Sequence, residues 1–282
     1  MKMKLSYCCL LLGFVIMSPG SLSAMPFLPD FSASTFSPNV PINHTYFPVS
    51  TGISRTYEGR REEDGVKITE GFTLSNLGLG PTILGVQTTI QRDRSFENGV
   101  ILEDTFDYYA QDTSGNVWYF GEDVTNFVYD DDGNLLGTNS SSSWRGGVNN
   151  ARPGFIMPTD LTPGFNYRQE FAPLDQAVDE ATIFSLGNTV SLRIGEFSNV
   201  LQIFEENELE PDAREFKYYA PGVGLILVEE GLSPSLTNPE IGVELVSTVP
   251  EPSAVLLLGS GLIGIVAWRY RTGHRSSHKT QC

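Results

Sequence analysis

Hydrophobic and polar residues alternate with a period of two through much of the middle of the chain. The alternation runs from Val66 to Leu74 and from Val100 to Ala110, and it returns in short segments between Tyr167 and Val246. A period of two places successive side chains on opposite faces of a strand, so these segments predict β-strands. No segment between residues 53 and 247 shows the period of a long amphipathic helix.

Turn signals separate these runs. Asn98-Gly99 precedes the run that starts at Val100, Asp112 to Gly115 follows it, and Asp130 to Gly133 follows the run that ends at Tyr129. Asn-Gly and Asp-Gly between alternating runs are typical of β-hairpins. Residues 100–129 therefore predict a three-stranded meander, with strands at Val100–Ala110, Asn116–Gly121 and Asn126–Tyr129.

Further strands are predicted on both sides of this meander, at Pro81–Arg92, Tyr167–Phe171, Ala181–Leu186, Thr189–Ile194, Val200–Glu206, Glu215–Tyr219, Leu225–Glu230 and Val243–Val246. The connections are short, which favours antiparallel neighbours. We therefore expect a mainly β fold in which one antiparallel sheet system is curved into a partial barrel or split into a sandwich.

The N-terminal pattern is that of a secretory signal peptide. Lys2 and Lys4 precede an apolar stretch, Leu5 to Met17, and small residues follow at Ser21 to Ala24. A basic start, an apolar middle and a small-residue cleavage region predict a signal peptide over residues 1–24 and export through the Sec translocon. Residues 25–52 are irregular and rich in proline, and we expect a leader that packs along a β-rich extracytoplasmic domain at 53–247.

The C-terminal pattern predicts a single transmembrane helix. Ala254 to Trp268 is a run of 15 residues without a charge, followed by Arg269, Arg271 and Arg275. At 1.5 Å per residue this run is slightly short for a hydrocarbon core of about 30 Å, although Trp268 can sit at the interface. The arginines are expected to hold this end in the cytoplasm.

The order of these parts resembles a known sorting signal. Val249, Pro250, Glu251, Pro252 and Ser253 stand immediately before the apolar run and the arginines. A short Pro-Glu-Pro motif, one span and a basic terminus resemble the PEP-CTERM sorting signal of Gram-negative bacteria, here covering residues 248–282. The alternative is a plain membrane anchor that is never cut.

The resemblance implies a path for the protein. An exosortase-type membrane protease would cut near Pro250 to Pro252 and remove the helix from an inner-membrane intermediate. Attachment to a surface glycan or release would follow, leaving the protein in the cell envelope, on the cell surface or in the extracellular matrix.

Composition excludes several function classes. The chain has 18 basic and 34 acidic residues, and the two terminal segments hold six of the basic residues and one of the acidic ones, Glu251. The body therefore carries a net charge of about −21, which repels nucleic acid and anionic lipid. Its only histidine is His44, and all three cysteines lie in the terminal segments. Disulfides, thiolate sites and histidine-based zinc or copper sites are thereby excluded from the body.

Carboxylates are the only reactive side chains left in number. Glu103, Asp104 and Asp107 lie on one predicted strand, and Glu122 and Asp123 end its neighbour. Alternation places Glu103 and Asp107 on one face and Asp104 on the other. A pair roughly 5 to 10 Å apart could hydrolyse a glycoside. The alternative is a solvated strand face with no chemistry.

A calcium site is a further hypothesis. Asp130, Asp131, Asp132 and Asn134 surround Gly133 and offer the hard oxygen ligands that calcium prefers. The spacing departs from that of an EF-hand loop, and the alternative is a hairpin turn with exposed aspartates. No other cofactor is expected.

Several segments of the body also look like uncharacterised exported β-rich bacterial proteins: Asp104–Asp112, Gly115–Glu122, Pro153–Pro158, Tyr167–Glu170 and Lys217–Leu225. This resemblance implies the β fold and no activity. We therefore expect an exported, surface-sorted structural or binding protein of the envelope or exopolysaccharide matrix, without enzymatic activity. The rival hypotheses are a carboxylate-dependent glycan hydrolase and a β-domain that carries an apolar ligand.

Overall fold

The computed structural model describes residues 25–38, 40–130 and 132–250. It is mainly β, with 65% in strands and 3% in helix. The predicted signal peptide, residues 251–253 of the sorting motif, the apolar run and the three arginines lie outside the described residues. Within them, no helix has the length and apolar character needed to cross a membrane.

The described chain forms seventeen strands and two short 3-10 helices. The helices are Phe31–Ala33 and Pro173–Asp175. The strands are β1 Asn43–His44, β2 Phe47–Pro48, β3 Ile53–Glu63, β4 Val66–Ile83, β5 Val86–Glu97, β6 Val100–Gln111, β7 Val117–Tyr129, β8 Leu135–Asn139, β9 Trp144–Arg145, β10 Arg152–Met157, β11 Asn166–Arg168, β12 Glu170–Phe171, β13 Asp179–Leu192, β14 Gly195–Asn207, β15 Glu210–Ala220, β16 Gly224–Glu230 and β17 Ile241–Pro250.

One large antiparallel sheet contains all strands except the β1–β2 ribbon. Its order is β11-β13-β14-β15-β16-β17-β3-β4-β5-β6-β7-β10-β12, and β8 and β9 also pair with β7. The two ends of this order, β11 and β12, are consecutive in the chain and separated by Gln169 alone. The segment 166–171 therefore pairs with β13 through its first half and with β10 through its second half. The sheet thus closes on itself, which is the curved arrangement of the two that were predicted.

Several predicted strand boundaries are wrong, for local reasons. Ala181–Leu186 and Thr189–Ile194 are one strand, β13, in which Gly187 (φ +87°) lies at a register shift instead of a turn. In the predicted meander, Asn116–Gly121 and Asn126–Tyr129 are likewise one strand, β7, and the third strand is β8. Conversely, Pro81–Arg92 contains a hairpin turn at Leu84 and Gly85, both with positive φ. Leucine is rare at such a position, so composition conceals this turn.

The leader closes one end of the sheet. The Tyr46 hydroxyl of the leader donates to the Asn199 carbonyl (3.0 Å). The Gly222 amide, in the turn between β15 and β16, donates to the carbonyl of Thr45 in the leader (2.7 Å). The Asn43 amide donates to the side chain of Gln111 at the end of β6 (2.7 Å). All three contacts lie at the same end of the strands, so the leader is an ordered part of the domain.

Aromatic packing fixes the leader in place. Phe31 and Phe36 contact Trp118 and Phe120 edge to face, with ring centroids 5.6 to 6.0 Å apart. Trp118 and Phe120 are fully buried. Because aromatic rings bury large apolar areas, these contacts hold the leader on the outer face of β7.

Replacement of Gly154 in β10 tests the closure. A Cβ at this position would clash with the carbonyl oxygens of Arg168 and Gln169, both in residues 166–171, which we call the closing segment. We expect Gly154→Ala to destabilise the domain by about 3 kcal/mol, because backbone atoms must shift to admit the methyl group. Thermal or denaturant unfolding measures the change.

Gly137→Ala in β8 is the matched control, since no atom lies within 4 Å of a Cβ there. Its effect should stay within about 0.5 kcal/mol of zero. Equal stability of the two variants would contradict the described approach of β10 to the closing segment.

Candidate functional site

A cavity of about 660 Å³ lies inside the closed sheet. Its floor is aromatic: Phe47 of the leader packs against Tyr109 (centroids 5.2 Å apart) and Tyr219 (6.5 Å). Phe72 and Leu225 form part of the walls. The cavity opens at the end of the sheet opposite the leader, and its size is that of a small-molecule site.

Carboxylates dominate the open half of the cavity. They come from eight strands, and the lining includes Asp93, Glu103, Asp107, Glu122, Glu170, Asp179, Glu205, Glu215 and Glu230. Antiparallel topology explains why they meet. Strands β5, β14 and β16 reach the mouth near their C-terminal ends, whereas β6, β13 and β15 start there, and each places an acidic residue at an inward position near that end.

The two faces of β6 carry different acidic residues, as the alternation predicts. Glu103 and Asp107 line the cavity. Asp104 lies on the outer face, where both of its oxygens accept from the Arg92 guanidinium. Asp123 is also outside and accepts from the Tyr108 hydroxyl (2.7 Å). Asp104 and Asp123 are therefore not part of the site.

A β-bulge in β7 brings Glu122 into the cavity. Tyr108 faces Gly121 and Tyr109 faces Tyr119, so Phe120 is an extra residue without a partner on β6. The bulge reverses the alternation, and Tyr119 and Glu122 consequently face the same side although they are three residues apart. Gly121 has φ +138°, and a Cβ there would lie 2.5 Å from the Trp144 carbonyl oxygen.

Asp107, Tyr119 and Glu122 form a hydrogen-bonded cluster. The Tyr119 hydroxyl lies 2.7 Å from Asp107 Oδ1 and 2.8 Å from Glu122 Oε2. A hydroxyl has one proton to donate, so both hydrogen bonds can form only if one carboxyl is protonated and donates to the Tyr119 oxygen. The two carboxyls share one proton between them in this geometry.

The electrostatics agree with a shared proton. Burial raises the pKa of Asp107 to about 7, with a further contribution from Glu103. Burial and the Asp107 charge raise the pKa of Glu122 well above its ordinary value. Burial likewise raises the pKa of Asp93, and the nearby Asp107 and Glu103 add to the shift. At neutral pH this wall of the cavity therefore holds protons that exposed carboxyls would have lost.

Lys217 offsets the negative charge of the carboxylates on the opposite wall. Its Nζ lies 2.6 Å from Glu205 Oε2 and 3.0 Å from Glu215 Oε1. Burial alone would lower the pKa of Lys217, but Glu205 and Glu215 raise it well above its ordinary value. Glu215 lies directly opposite both Glu205 and Glu230 across the sheet, so Lys217 offsets a row of like charges.

Two carboxylate oxygens of the lining have no hydrogen bond of normal geometry within the described residues. They are Oε2 of Glu170 and Oδ1 of Asp93, and both atoms are buried. Glu170 as a whole is 3% exposed. Buried polar atoms without partners are rare in folded proteins, because their desolvation is not compensated.

Most of the acidic residues that line the cavity were not predicted from the sequence. Of the carboxylates predicted as a candidate site, only Glu103, Asp107 and Glu122 lie in the cavity. The other residues lie on the inward face of strands whose remaining inward residues are apolar. Examples are Glu205, which follows Leu201 and Ile203 at every second position, and Glu230, which follows Val228. An acidic residue in the apolar phase of a strand is the signal that could have identified them.

The predicted calcium turn lies outside the cavity. Asp130 Oδ1 accepts from the backbone amides of Asp132 (3.0 Å) and Asn134 (2.7 Å), so this carboxylate stabilises its own turn. Asp131 is outside the described residues. Among the residues the structure describes, no group of three or more His, Cys, Asp or Glu side chains could hold a metal ion. Calcium at this turn stays a prediction.

The first part of the sorting motif belongs to the folded domain. Strand β17 continues three residues past the predicted boundary at 247 and pairs Val249 with Ser54 and Pro250 with Ile53. Residues 251–253 and the basic flank are not among the described residues. A cut near Pro250 to Pro252 would therefore fall at the C-terminal end of β17.

Residues 248–271 match the model of the PEP-CTERM protein-sorting motif. The match confirms the resemblance seen in the tail. It indicates an exported protein of the envelope or cell surface that an exosortase, a membrane protease, sorts.

Solved structures include two that are similar to this chain. One, from Bacteroides fragilis, is described as exported and as having a YmcC-like fold, with 12% identity and a TM-score of 0.40. The other, from Parabacteroides distasonis, is described as a lipoprotein, with 12% identity and a TM-score of 0.35. Each comparison covers 73% of this chain and 99% of the other. No curated protein matches the sequence.

The raised carboxyl pKa values predict that the domain is more stable in mild acid than at alkaline pH. Below pH 7 the folded state keeps a proton on Asp107 that the unfolded chain, with an ordinary pKa of 3.8, releases. Glu230, whose pKa is raised to about 7 by burial, behaves in the same way. Stability therefore falls as pH rises through 7. We expect the midpoint of thermal unfolding to be roughly 5 °C or more lower at pH 8 than at pH 5.

Asp107→Asn should raise the midpoint at pH 8 and reduce its pH dependence, because a neutral side chain replaces the titrating one. Asp104→Asn is the control with the same change of charge on the outer face of the same strand. It should leave the pH dependence as it is. Identical pH profiles for both variants would show that general surface repulsion, not the buried cluster, sets the dependence.

Proposed function

We propose that this chain is a non-catalytic binding protein of the envelope, cell surface or exopolysaccharide matrix of a Gram-negative bacterium, and that it works without a cofactor. Its β-domain holds a ligand in the acidic cavity. The observation that carries the proposal is a cavity of about 660 Å³ that the leader closes at one end and whose wall contains buried carboxylate oxygens without a hydrogen bond of normal geometry among the described residues. An interior optimised for stability alone would be filled with apolar side chains.

The sorting tail supports the surface location. In this proposal the Sec translocon exports the chain, the apolar run holds it in the inner membrane, and the exosortase removes that run. The mature domain is then joined to a surface glycan or released.

A glycan hydrolase is the second candidate, and the Asp107–Tyr119–Glu122 cluster favours it. Two carboxyls that share one hydroxyl have the close spacing of retaining glycosidases, roughly 5 Å, and one of them holds a proton as a general acid must. The Tyr119 hydroxyl, however, lies between the two carboxyls where a glycosidic oxygen would have to enter. This contact favours a structural role for the cluster.

An apolar-ligand carrier has less support. Phe47, Phe72 and Leu225 provide apolar contacts, but at least nine carboxylates share the lining with them. A lipid chain in this cavity would desolvate those carboxylates without offering them a hydrogen bond.

Processing is tested on protein recovered from a host that carries the exosortase. We expect mass spectrometry of the mature chain to find its C-terminus between Pro250 and Ser253, with any added mass identifying the attached group. Replacement of Glu251 by Gln should reduce processing if the motif is read by the protease. A mature chain that still ends at Cys282 would overturn the sorting part of the proposal.

Catalysis is tested with Asp107→Asn and Glu122→Gln, assayed on the polysaccharides of the host. We expect no hydrolysis by the wild-type protein and no difference between it and either variant. Asp123→Asn, on the outer face of β7, is the control. Hydrolysis that both cavity variants lose and the control keeps would replace the binding function with a hydrolase.

A further inference from the structure

The charges in the cavity identify the class of ligand. Lys217 forms ion pairs with two of the nine carboxylates named above. Within the described part of the chain no salt bridge involves any of the other seven: Asp93, Glu103, Asp107, Glu122, Glu170, Asp179 and Glu230. Arg214 lines the rim of the cavity and has no ion pair among the described salt bridges. Burial and mutual repulsion keep several of these seven carboxyls protonated at neutral pH, since no cation of the described chain pairs with them. A cationic ligand would supply the missing partner as those protons leave.

Unsatisfied acceptors point to a ligand that donates hydrogen bonds. Oε2 of Glu170, in the closing segment, and Oδ1 of Asp93, on β5, are buried oxygens without a hydrogen bond of normal geometry among the described residues. The Glu170 side chain has Trp144 and Asp179 as its polar neighbours. A carboxylate accepts hydrogen bonds and cannot donate them when it is ionised. The ligand must therefore bring hydrogen-bond donors. Because no cation within the described residues pairs with these carboxyls, ammonium groups fit best, and each brings three N–H donors.

The spacing of the carboxylates argues against a single metal ion. In the described chain no three of them converge closely enough to hold one ion. They are distributed around the mouth on strands β5, β6, β7, β12, β13 and β16. One compact charge would leave most of them unpaired, whereas several positive groups along one flexible molecule can reach them separately.

Apolar and aromatic surface lies between the carboxylates and the floor. Phe47, Phe72 and Tyr109 line the cavity together with Leu225 and Val228. Aromatic faces attract cations, and the apolar side chains can cover methylene groups. The ligand that fits both features carries its charges on an aliphatic chain.

We propose that the cavity binds a small organic polycation of the polyamine class, with two or more ammonium groups on a flexible aliphatic chain. Its ammonium groups pair with the carboxylates that lack cationic partners, Asp93 and Glu170 among them, and its methylene groups lie along Phe47, Phe72 and Leu225. This inference rests on the proposed binding function and names the ligand class of the same site.

The test is a calorimetric titration of the full chain, purified in detergent, with spermidine at pH 7.5 and low salt. We expect saturable binding of one spermidine per chain that weakens as salt is added. Asp93→Asn and Glu170→Gln should each weaken it about tenfold, the loss of one charge-assisted hydrogen bond. Asp104→Asn, on the outer face, should leave the affinity unchanged.

Two neutral or inorganic probes complete the design. Pentane-1,5-diol has the aliphatic chain without the charge and should not bind. Calcium chloride should not compete with spermidine at equal concentration. Calcium binding that depends on Asp93 and Glu170, or spermidine binding that Asp104→Asn weakens as much as the cavity variants do, would overturn the polyamine site.

Native mass spectrometry of the protein recovered from its host distinguishes a failure of the polyamine class from a failure of the proposed binding function. A co-purified molecule without ammonium groups, together with no spermidine binding, would overturn the polyamine class and leave the binding function standing. No bound molecule and no spermidine binding would overturn both.

Discussion

Closure of the antiparallel sheet through residues 166–171 is the constraint on which the interior depends. The segment is too short to form one long strand, and it divides its pairing between β13 and β10, the two strands that would otherwise be free edges. Gly154 permits this junction because its missing side chain lets the backbone of β10 approach Arg168 and Gln169. An open sheet would expose both edges and leave the inward side chains in water.

Closure raises the free-energy cost of the acidic residues, because it buries them. A carboxylate on an open sheet stays hydrated, but inside a closed one it loses water and lies close to others of its kind. The structure answers this cost in two ways. Lys217 pairs with Glu205 and Glu215 on one wall, and a proton shared by Asp107 and Glu122 reduces the charge on the other. Residues that cost stability and still occupy the interior are most simply explained by a ligand that uses them.

Local pattern predicted the strands better than it predicted the site. The alternation in β6 correctly separated Glu103 and Asp107 from Asp104, because a strand's faces follow from its sequence alone. It could not reveal the bulge at Phe120, which depends on the register of β6 against β7, nor the turn at Leu84, where leucine adopts an unfavourable backbone conformation.

The meeting of distant residues was beyond local pattern altogether. Glu205 and Lys217 approach Asp93 and Asp107 only because the sheet closes. Closure depends on pairing between β11 and β13, and the sequence of a single segment does not predict which other strand it pairs with. The tail was different. Its motif, apolar run and arginines are read in order along the chain, so the sorting signal could be predicted without any structure.

The direction in which the chain leaves the domain connects the sorting signal to the cavity. Glu230, at the mouth, lies opposite Ile241, the first residue of β17, and β17 ends at Pro250 beside Ile53. Nine residues of extended chain separate these ends by about 30 Å. Whatever follows Pro250 therefore begins at the end that the leader closes. In the proposed function, a membrane anchor before processing and a glycan after it are attached at this end. The mouth would then point away from the attachment in either state, so the cavity would be accessible before processing as well as after it.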